Sequence, residues 1–175
     1  MGYFAAALAR HSSGWSGEEL DLKGVEDLDG VVEELRSVSD DADTLLLFVE
    51  EDDEWFAIVR VNEDNDPRVF LSDGRAMETS ELGALLGEAA AVAATDDAAG
   101  DDHDEEDGDD TEDDEEGSRV AGDPVGDADV LADLGTPAAR LLALCAEEGQ
   151  LPADIISALC ESAGCLEAID ELRLA

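Results

Sequence analysis

The run DDHDEEDGDDTEDDEE, from Asp101 to Glu116, limits what this chain can fold into more than any other segment does. Between Asp96 and Glu116 there are 15 acidic residues and no Lys or Arg. So little apolar surface and so much unbalanced charge cannot offset the entropy that is lost when a segment becomes ordered. We therefore predict a disordered acidic linker over residues 94–119. It would separate an α+β core at residues 1–93 from a helical C-terminal segment at residues 120–175.

The linker has two possible roles. About 25 flexible residues span roughly 25–30 Å, and self-repulsion extends them further. That reach is enough to bring the C-terminal segment back onto the core. We favour this passive tether over an active electrostatic arm.

The acidity extends beyond the linker. The chain of 175 residues has 49 acidic and 9 basic residues and a net charge of −40, and outside residues 96–116 there are still 34 acids against 9 bases. Such a field repels phosphate backbones and anionic membranes, so basic proteins, cations or water alone remain as partners, without direct nucleic-acid or membrane binding. With no membrane-length apolar run and no secretory signal, the chain is expected to be cytoplasmic.

The first half of the chain predicts helices and strands of an α+β fold. Tyr3 to Arg10 reads as a strand, and a helix follows with either Asp27 or Asp29 as its N-cap. The apolar stripe of that helix has the spacing of one helical face: Leu28, Val31, Val32, Leu35 and Val38. A second helix is expected from about Ser80 to Ala93.

Three further strands are predicted in quick succession, at Thr44–Glu50, Trp55–Val61 and Arg68–Leu71. The first is apolar at consecutive positions, as in a strand covered on both faces, and the second is rich in aromatic and β-branched residues. Hairpin-length connections make an antiparallel β-meander of three to four strands, packed with helices, the simplest topology.

The C-terminal segment reads as short helices. Thr136 is expected to cap a helix with Pro137 in its first turn, and Pro152 opens another that ends at Gly164. These short helices cannot form a large enough hydrophobic core to be stable alone. We expect them to dock on the sheet.

Several motifs come close to a catalytic or metal-binding pattern and fail. His103-Asp104-Glu105 matches the H-x-E of zinc nucleobase deaminases but lacks the P-C-x-x-C half. Counting back from Gly108 puts His103 at the first ligand position of a calcium loop and Asp114 at the twelfth, where an acid and a Glu are required.

The stretch GWSGE, from Gly14 to Glu18, resembles a nucleophile elbow, but Glu18 replaces its second glycine. His11 nearby reads as a turn residue rather than a base. Three cysteines without a CxxC pair, Cys145, Cys160 and Cys165, read as small buried apolar residues, with a redox or metal role as the alternative. The sequence predicts no catalytic, cofactor-binding or metal-binding residue and no cofactor.

Trp15 and Trp55 are candidates to anchor a partner. For Trp55 we favour packing on the sheet, because it begins a predicted strand.

The order of the segments resembles one family. GYFAAALAR, LLLFVEEDDEWFAIVRV and DPRVFLSD, followed far downstream by GDADVLADLGTPAARLLALCAEEGQLPADIISALCESAGC, resemble the actinobacterial tRNA adenosine deaminase-associated protein family. The DDEWFAIVRV and DPRVFLSD segments carry most of the likeness. The resemblance implies a partner rather than catalytic residues, because no site residue of the family carries over.

These observations lead to a non-catalytic accessory protein that contacts tRNA adenosine deaminase or another basic protein. An acidic nucleic-acid mimic that inhibits nucleic-acid-binding proteins is the first alternative, and ordered carboxylates spaced along the folded surface would mark it. The others are an enzyme, marked by a deep pocket with perturbed carboxylates, and simple adaptation to salt. The oligomeric state stays open.

Overall fold

The structure is a computed structural model that describes residues 2–62, 67–96, 123–147 and 149–174. The linker predicted over 94–119 lies outside these ranges except for the last turn of a helix that ends at Asp96. The H-x-E motif at His103 and the calcium-loop motif at Gly108 also lie outside the described residues. The division into a core, a linker and a C-terminal segment stays a prediction.

The centre of the fold is an antiparallel sheet with strand order β2-β1-β3-β4-β5-β6. Its strands are β1 (Tyr3–His11), β2 (Gly14–Glu19), β3 (Thr44–Glu51), β4 (Trp55–Asn62), β5 (Arg68–Leu71) and β6 (Val125–Gly126). Every neighbouring pair is antiparallel. The α+β class is confirmed, and the sheet in the described residues is larger than the three to four strands expected.

Six α-helices and one 3-10 helix lie in the described residues: α1 (Leu28–Val38), α2 (Ala76–Thr79), α3 (Glu81–Asp96), the 3-10 helix (Ala132–Leu134), α4 (Ala138–Ala146), α5 (Pro152–Ala163) and α6 (Leu166–Leu174). Asp27 is the N-cap of α1, and its side chain accepts a 2.8 Å hydrogen bond from the Gly30 N–H. Ser80 caps α3 in the same way through the Gly83 N–H. Gly164 ends α5 with a left-handed φ of 87°.

Two strands were not predicted because neither has a strand-like sequence. β2 reads GWSGEE, and nearly all of it is exposed, so it owes its conformation to pairing with β1. β6 is a two-residue strand that pairs with β5 after the chain has returned from the acidic segment.

The prediction that Thr136 caps α4 is wrong. The N-cap is Pro137, without a side-chain cap hydrogen bond. The Thr136 hydroxyl is buried and has no hydrogen-bond partner in the described structure. A polar group in this position lowers stability rather than securing the helix start.

Both faces of the sheet are apolar, and each is covered by helices. Helices α1 to α3 cover one face, whose buried strand residues are Ala5, Ala7, Ala9, Leu45, Leu47, Val49, Trp55, Ala57, Val59, Val61, Val69 and Leu71. The C-terminal segment covers the other, lined by Ala6, Leu8, Leu46, Phe48, Phe56, Ile58 and Phe70. The continuous apolar pattern of β3 predicted a strand buried on both sides, and this prediction is confirmed.

A buried arginine ties the C-terminal segment to the sheet. Arg60 lies on β4, is 5% exposed, and donates to the Val130 carbonyl at 2.9 Å. Its guanidinium also makes a bidentate pair with the Asp133 carboxylate, with Nη2 at 2.8 Å from Oδ2. Its Nε donates to Asn62, which also accepts from the Thr44 hydroxyl. Because a lone buried charge is costly, this arginine needs the 3-10 helix in place.

Two more ion pairs join the same layers. Arg68 on β5 pairs with Asp127, just after β6. Arg173 on α6 donates to Glu50 Oε2 at 3.0 Å, and its guanidinium carbon lies 5.5 Å from the centre of the Phe4 ring. Three arginines of the chain thus hold the C-terminal segment against the sheet.

We expect Asp133→Asn to lower the free energy of unfolding by about 1–3 kcal/mol, because it leaves Arg60 buried without a counter-charge. Asp73→Asn is the matched control, since Asp73 also pairs with an arginine, Arg75, whose side chain is 64% exposed. That change should cost about 0.5 kcal/mol or less. Urea denaturation of both variants is the measurement. Equal losses would show that burial of Arg60 adds nothing.

The stability should pass through a maximum in mildly acidic solution. Desolvation raises the pKa of Glu50 above 4.5, although Arg173 opposes the shift. The folded state therefore binds this proton more readily than the unfolded state, and stability rises as pH falls from neutral through that pKa. The hydrogen bonds from Arg60 lower the pKa of Asp133 below 3.8, so its contribution is lost as pH falls through the folded pKa.

Thermal unfolding followed across this pH range tests the assignment. Glu50→Gln should flatten the rise between neutral pH and the maximum, and Asp133→Asn should flatten the acid fall. A Glu50→Gln profile that superimposes on the wild type would remove Glu50 from the explanation.

Candidate partner-binding surface

The described part of the protein is itself strongly acidic. It contains 31 of the 49 acidic residues and eight of the nine basic ones. Four of these cations are used in ion pairs: Arg60, Arg68, Arg75 and Arg173. The other four form no ion pair within the described ranges: Arg10, Lys23, Arg36 and Arg140. Most surface carboxylates therefore face water without a neutralising partner.

One ordered group of carboxylates lies on the outer side of α1. This helix buries Val31, Val32 and Leu35 against the sheet. Its opposite side exposes Asp29 and Glu33, and the loop that leads to β3 adds three more exposed acids, Asp40, Asp41 and Asp43. Backbone structure holds these charges in place.

A second group lies at the β3–β4 turn, where Glu51 to Glu54 are four consecutive acids. Asp52 and Asp53 both have positive φ angles, 52° and 57°. This is the backbone of a type I′ turn, which Asn-Gly fits best and in which Asp is tolerated better than most other residues. We include this turn in the candidate surface because Asp52, Asp53 and Glu54 are exposed.

A cleft of about 460 Å³ opens beside the start of β1. The Tyr3 hydroxyl donates to Asp21 at 3.1 Å and accepts from the Leu22 N–H at 2.7 Å, and burial raises the pKa of Tyr3. On the other wall, the Ser80 hydroxyl donates to Glu51 at 2.6 Å. These polar groups are engaged with one another, and their hydrogen bonds secure the loop after β2 and the start of α3.

The stretch that resembles a nucleophile elbow is the edge strand β2 rather than a turn. The structure does bring Ser16 Oγ and His11 Nε2 to 3.2 Å, a contact across an exposed hairpin. A Cβ on Gly17 would lie 3.0 Å from Leu8 and 3.2 Å from the Ala168 carbonyl, so this glycine lets α6 approach the sheet. Helix packing therefore explains why a glycine stands at this position of the motif.

The two tryptophans differ in exposure. Trp55 is 3% exposed and packs in the core beneath α2, as the sequence favoured. Trp15 is half-buried and packs against the C-terminal layer. Only Trp15 retains surface with which to meet a partner.

The cysteines lie in the C-terminal layer. Cys160 and Cys165 are fully buried, on either side of the Gly164 turn, and Cys145 is half-buried. Burial raises the pKa of Cys145 to about 12, and a hydrogen bond with Cys165 together with burial raises the pKa of Cys160 further. Within the described ranges no three His, Cys, Asp or Glu residues form a group that fits a metal ion.

An apolar area interrupts the acidic surface. Helix α4 carries the apolar residues Leu141, Leu142, Leu144 and Cys145, and of these only Leu141 is fully buried. The side of α4 opposite Leu141 is exposed, and we call it the α4 patch: Ala139, Leu142, Ala143 and Ala146. Leu142 is 42% exposed, and Leu151 in the following loop is 48% exposed.

Sequence reasoning missed the arginines that join the layers. A usable signal was present, because Arg60 interrupts WFAIVRV, an otherwise apolar strand. A charge at such a position requires a buried counter-charge elsewhere in the chain. The identity of that partner, Asp133, is hidden among many other acids.

Comparison with known protein families identifies a family that this chain matches. A family model described as Rv3753c-like tRNA adenosine deaminase-associated protein matches residues 3–166. The chain belongs to this family. The matched region runs from β1 to the first residue of α6 and includes both helical layers as well as the acidic segment. Comparisons with curated proteins and with solved structures found no match.

The family confirms the resemblance carried by the DDEWFAIVRV and DPRVFLSD segments. Its name gives an association with tRNA adenosine deaminase. None of the helices in the described ranges has the length and apolarity needed to cross a membrane.

We expect Cys160 and Cys165 to react slowly in the native protein, because both side chains are buried away from a reagent in solution. With Ellman's reagent at neutral pH, Cys160 and Cys165 should react only as fast as the protein opens, and all three thiols should react at once in guanidinium chloride. Cys145→Ser serves as the control that isolates the buried pair. Rapid native reaction of two thiols, or one equivalent of zinc by elemental analysis, would contradict this structural role.

Proposed function

We propose that this protein is a non-catalytic, cytoplasmic accessory protein that binds tRNA adenosine deaminase by protein–protein contact. Its ordered carboxylates meet a basic surface of the enzyme. The protein does not itself bind nucleic acid or membrane, because its field repels both.

The observation that carries the proposal is the combination of family membership with an acidic folded surface. The family name supplies the candidate partner. An enzyme that binds tRNA needs a basic surface to contact phosphates. The described residues contain only eight cations against 31 acids, and four of these cations are already used in ion pairs such as Arg60–Asp133. The two surfaces are therefore electrostatically complementary.

Complementary fields act mainly on the rate of association. Electrostatic steering raises association rates by about 10- to 1,000-fold and weakens as salt is added. Charges at the rim of an interface have little effect on dissociation. The acidic run from Asp96 to Glu116 would therefore speed encounter without holding the complex together.

The ordered carboxylates also favour a second candidate, an acidic mimic of nucleic acid. The acids of α1 and of the loop after it lie at fixed positions on the folded surface, as a mimic requires. A mimic would occupy the tRNA groove and would bind unrelated nucleic-acid-binding proteins as well. The accessory protein would prefer the deaminase.

Surface plasmon resonance with purified tRNA adenosine deaminase tests the proposal at several ionic strengths. The matched variant keeps the length of the chain and replaces each Asp and Glu of residues 96–116 with Asn and Gln. We expect slower association, by tenfold or more at low salt, a flatter salt dependence, and nearly unchanged dissociation.

The outcomes separate the two candidates. Faster dissociation of the neutral variant, with tRNA competing against the wild type, would assign the groove-blocking role. Equal binding to an unrelated RNA-binding protein would favour the general mimic. If the wild type does not bind the deaminase even at low salt, the proposal fails.

A further inference from the structure

The α4 patch is an apolar surface that none of the described residues of the protein covers. Helix α4 reads AARLLALCA, and only its Leu141 side reaches the core. A helix that is apolar on all sides normally lies fully buried. Here the outward side remains open to water, with Leu142 42% exposed and Leu151 beyond it 48% exposed.

Charge sets this area apart from the rest of the surface. The twelve residues from Gly135 to Ala146 contain no acid and one cation, the exposed Arg140, in a chain of net charge −40. Acids flank the segment on both sides. Asp129 precedes it, and Glu147 and Asp154 follow, all of them exposed. An apolar centre within a charged rim is the usual anatomy of a protein–protein interface.

We propose that the α4 patch is the centre of the contact with tRNA adenosine deaminase. Its occupant is an apolar area on the enzyme that is bordered by Lys and Arg side chains. The flanking carboxylates pair with those cations, and Leu142 is the main apolar anchor. The proposal rests on the function proposed above and names the surface through which it acts.

The acidic rim selects this occupant over others. In a second copy of the chain, the same acids would face each other across the two-fold axis, with both chains at −40. An anionic membrane would meet the same repulsion. A basic-rimmed apolar area has both the charge and the hydrophobicity that the site needs.

The patch and the acidic run would affect different steps of binding. Apolar anchors at the centre of an interface dominate its energy, and their loss appears mainly as faster dissociation. Removing the charge of the acidic run should instead slow association. The kinetic signatures of the two are therefore distinct.

Leu142→Glu is the main test, with Leu174→Glu as its matched control. Both replace an exposed leucine on a helix by the same charged residue, and Leu174, 88% exposed, lies at the end of α6 outside the patch. In surface plasmon resonance with the deaminase, Leu142→Glu should raise the dissociation rate at least about tenfold. Leu174→Glu should behave as the wild type does.

Leu142→Ala keeps the helix and adds no charge, so it separates loss of contact from misfolding. It should also weaken binding, with a melting temperature close to that of the wild type. Sedimentation velocity of the wild type alone, at low and high salt, is the final measurement.

Each outcome decides a different point. If the wild type binds and both Leu142 variants bind equally well, the α4 patch is not the contact and the proposed function stands. If the wild type does not bind, the proposed function itself fails. A wild-type dimer that Leu142→Glu dissociates would assign the patch to a second copy and overturn this inference.

Discussion

The fold depends on one constraint, a sheet whose strands are buried on both faces. Residues of β3 alternate between the two cores, with Leu45 and Leu47 on one side and Leu46 and Phe48 on the other. Helices α1 to α3 supply one cover from the first half of the chain. The second cover comes from residues 123–174, so the hydrophobic core is built from parts of the chain on both sides of the acidic segment in the sequence.

The chain has few cations, and three of them determine where the C-terminal segment packs on the sheet. Hydrophobic contact alone lets short helices slide on an apolar face, whereas Arg60 requires its carboxylate partner at one position. Arg68 and Arg173 fix the start and the end of the same layer. With 49 acids and 9 bases in the chain, most of the outer carboxylates have no cation to neutralise them. The internal architecture and the acidic surface are therefore two results of one composition.

The sequence was informative where burial was complete. Strands β3 and β4, and the apolar stripe of α1, carried patterns that only a covered sheet and an amphipathic helix explain. Strand β2 carried none, because pairing with β1 and the approach of α6 over Gly17 determine its conformation. Helix α4 was predicted, but not which side it buries, since every residue of α4 other than Arg140 is apolar and no narrow stripe stands out. The composition predicted that the protein has an acidic surface. The sequence did not indicate which residues of the fold form the candidate surface.

Long-range charge and short-range apolar contact are suited to different tasks in such a protein. Attraction between fields reaches about 8 Å at physiological salt and is not selective among basic partners. A chain that used its charge alone would bind any basic protein it met. Selectivity needs a contact that depends on shape and on removal of water, and within the described residues the α4 patch is an exposed apolar side of a helix flanked by acids. In the proposed complex, the acidic surface would set how often a basic partner arrives, and Leu142 would set how long the specific partner stays bound.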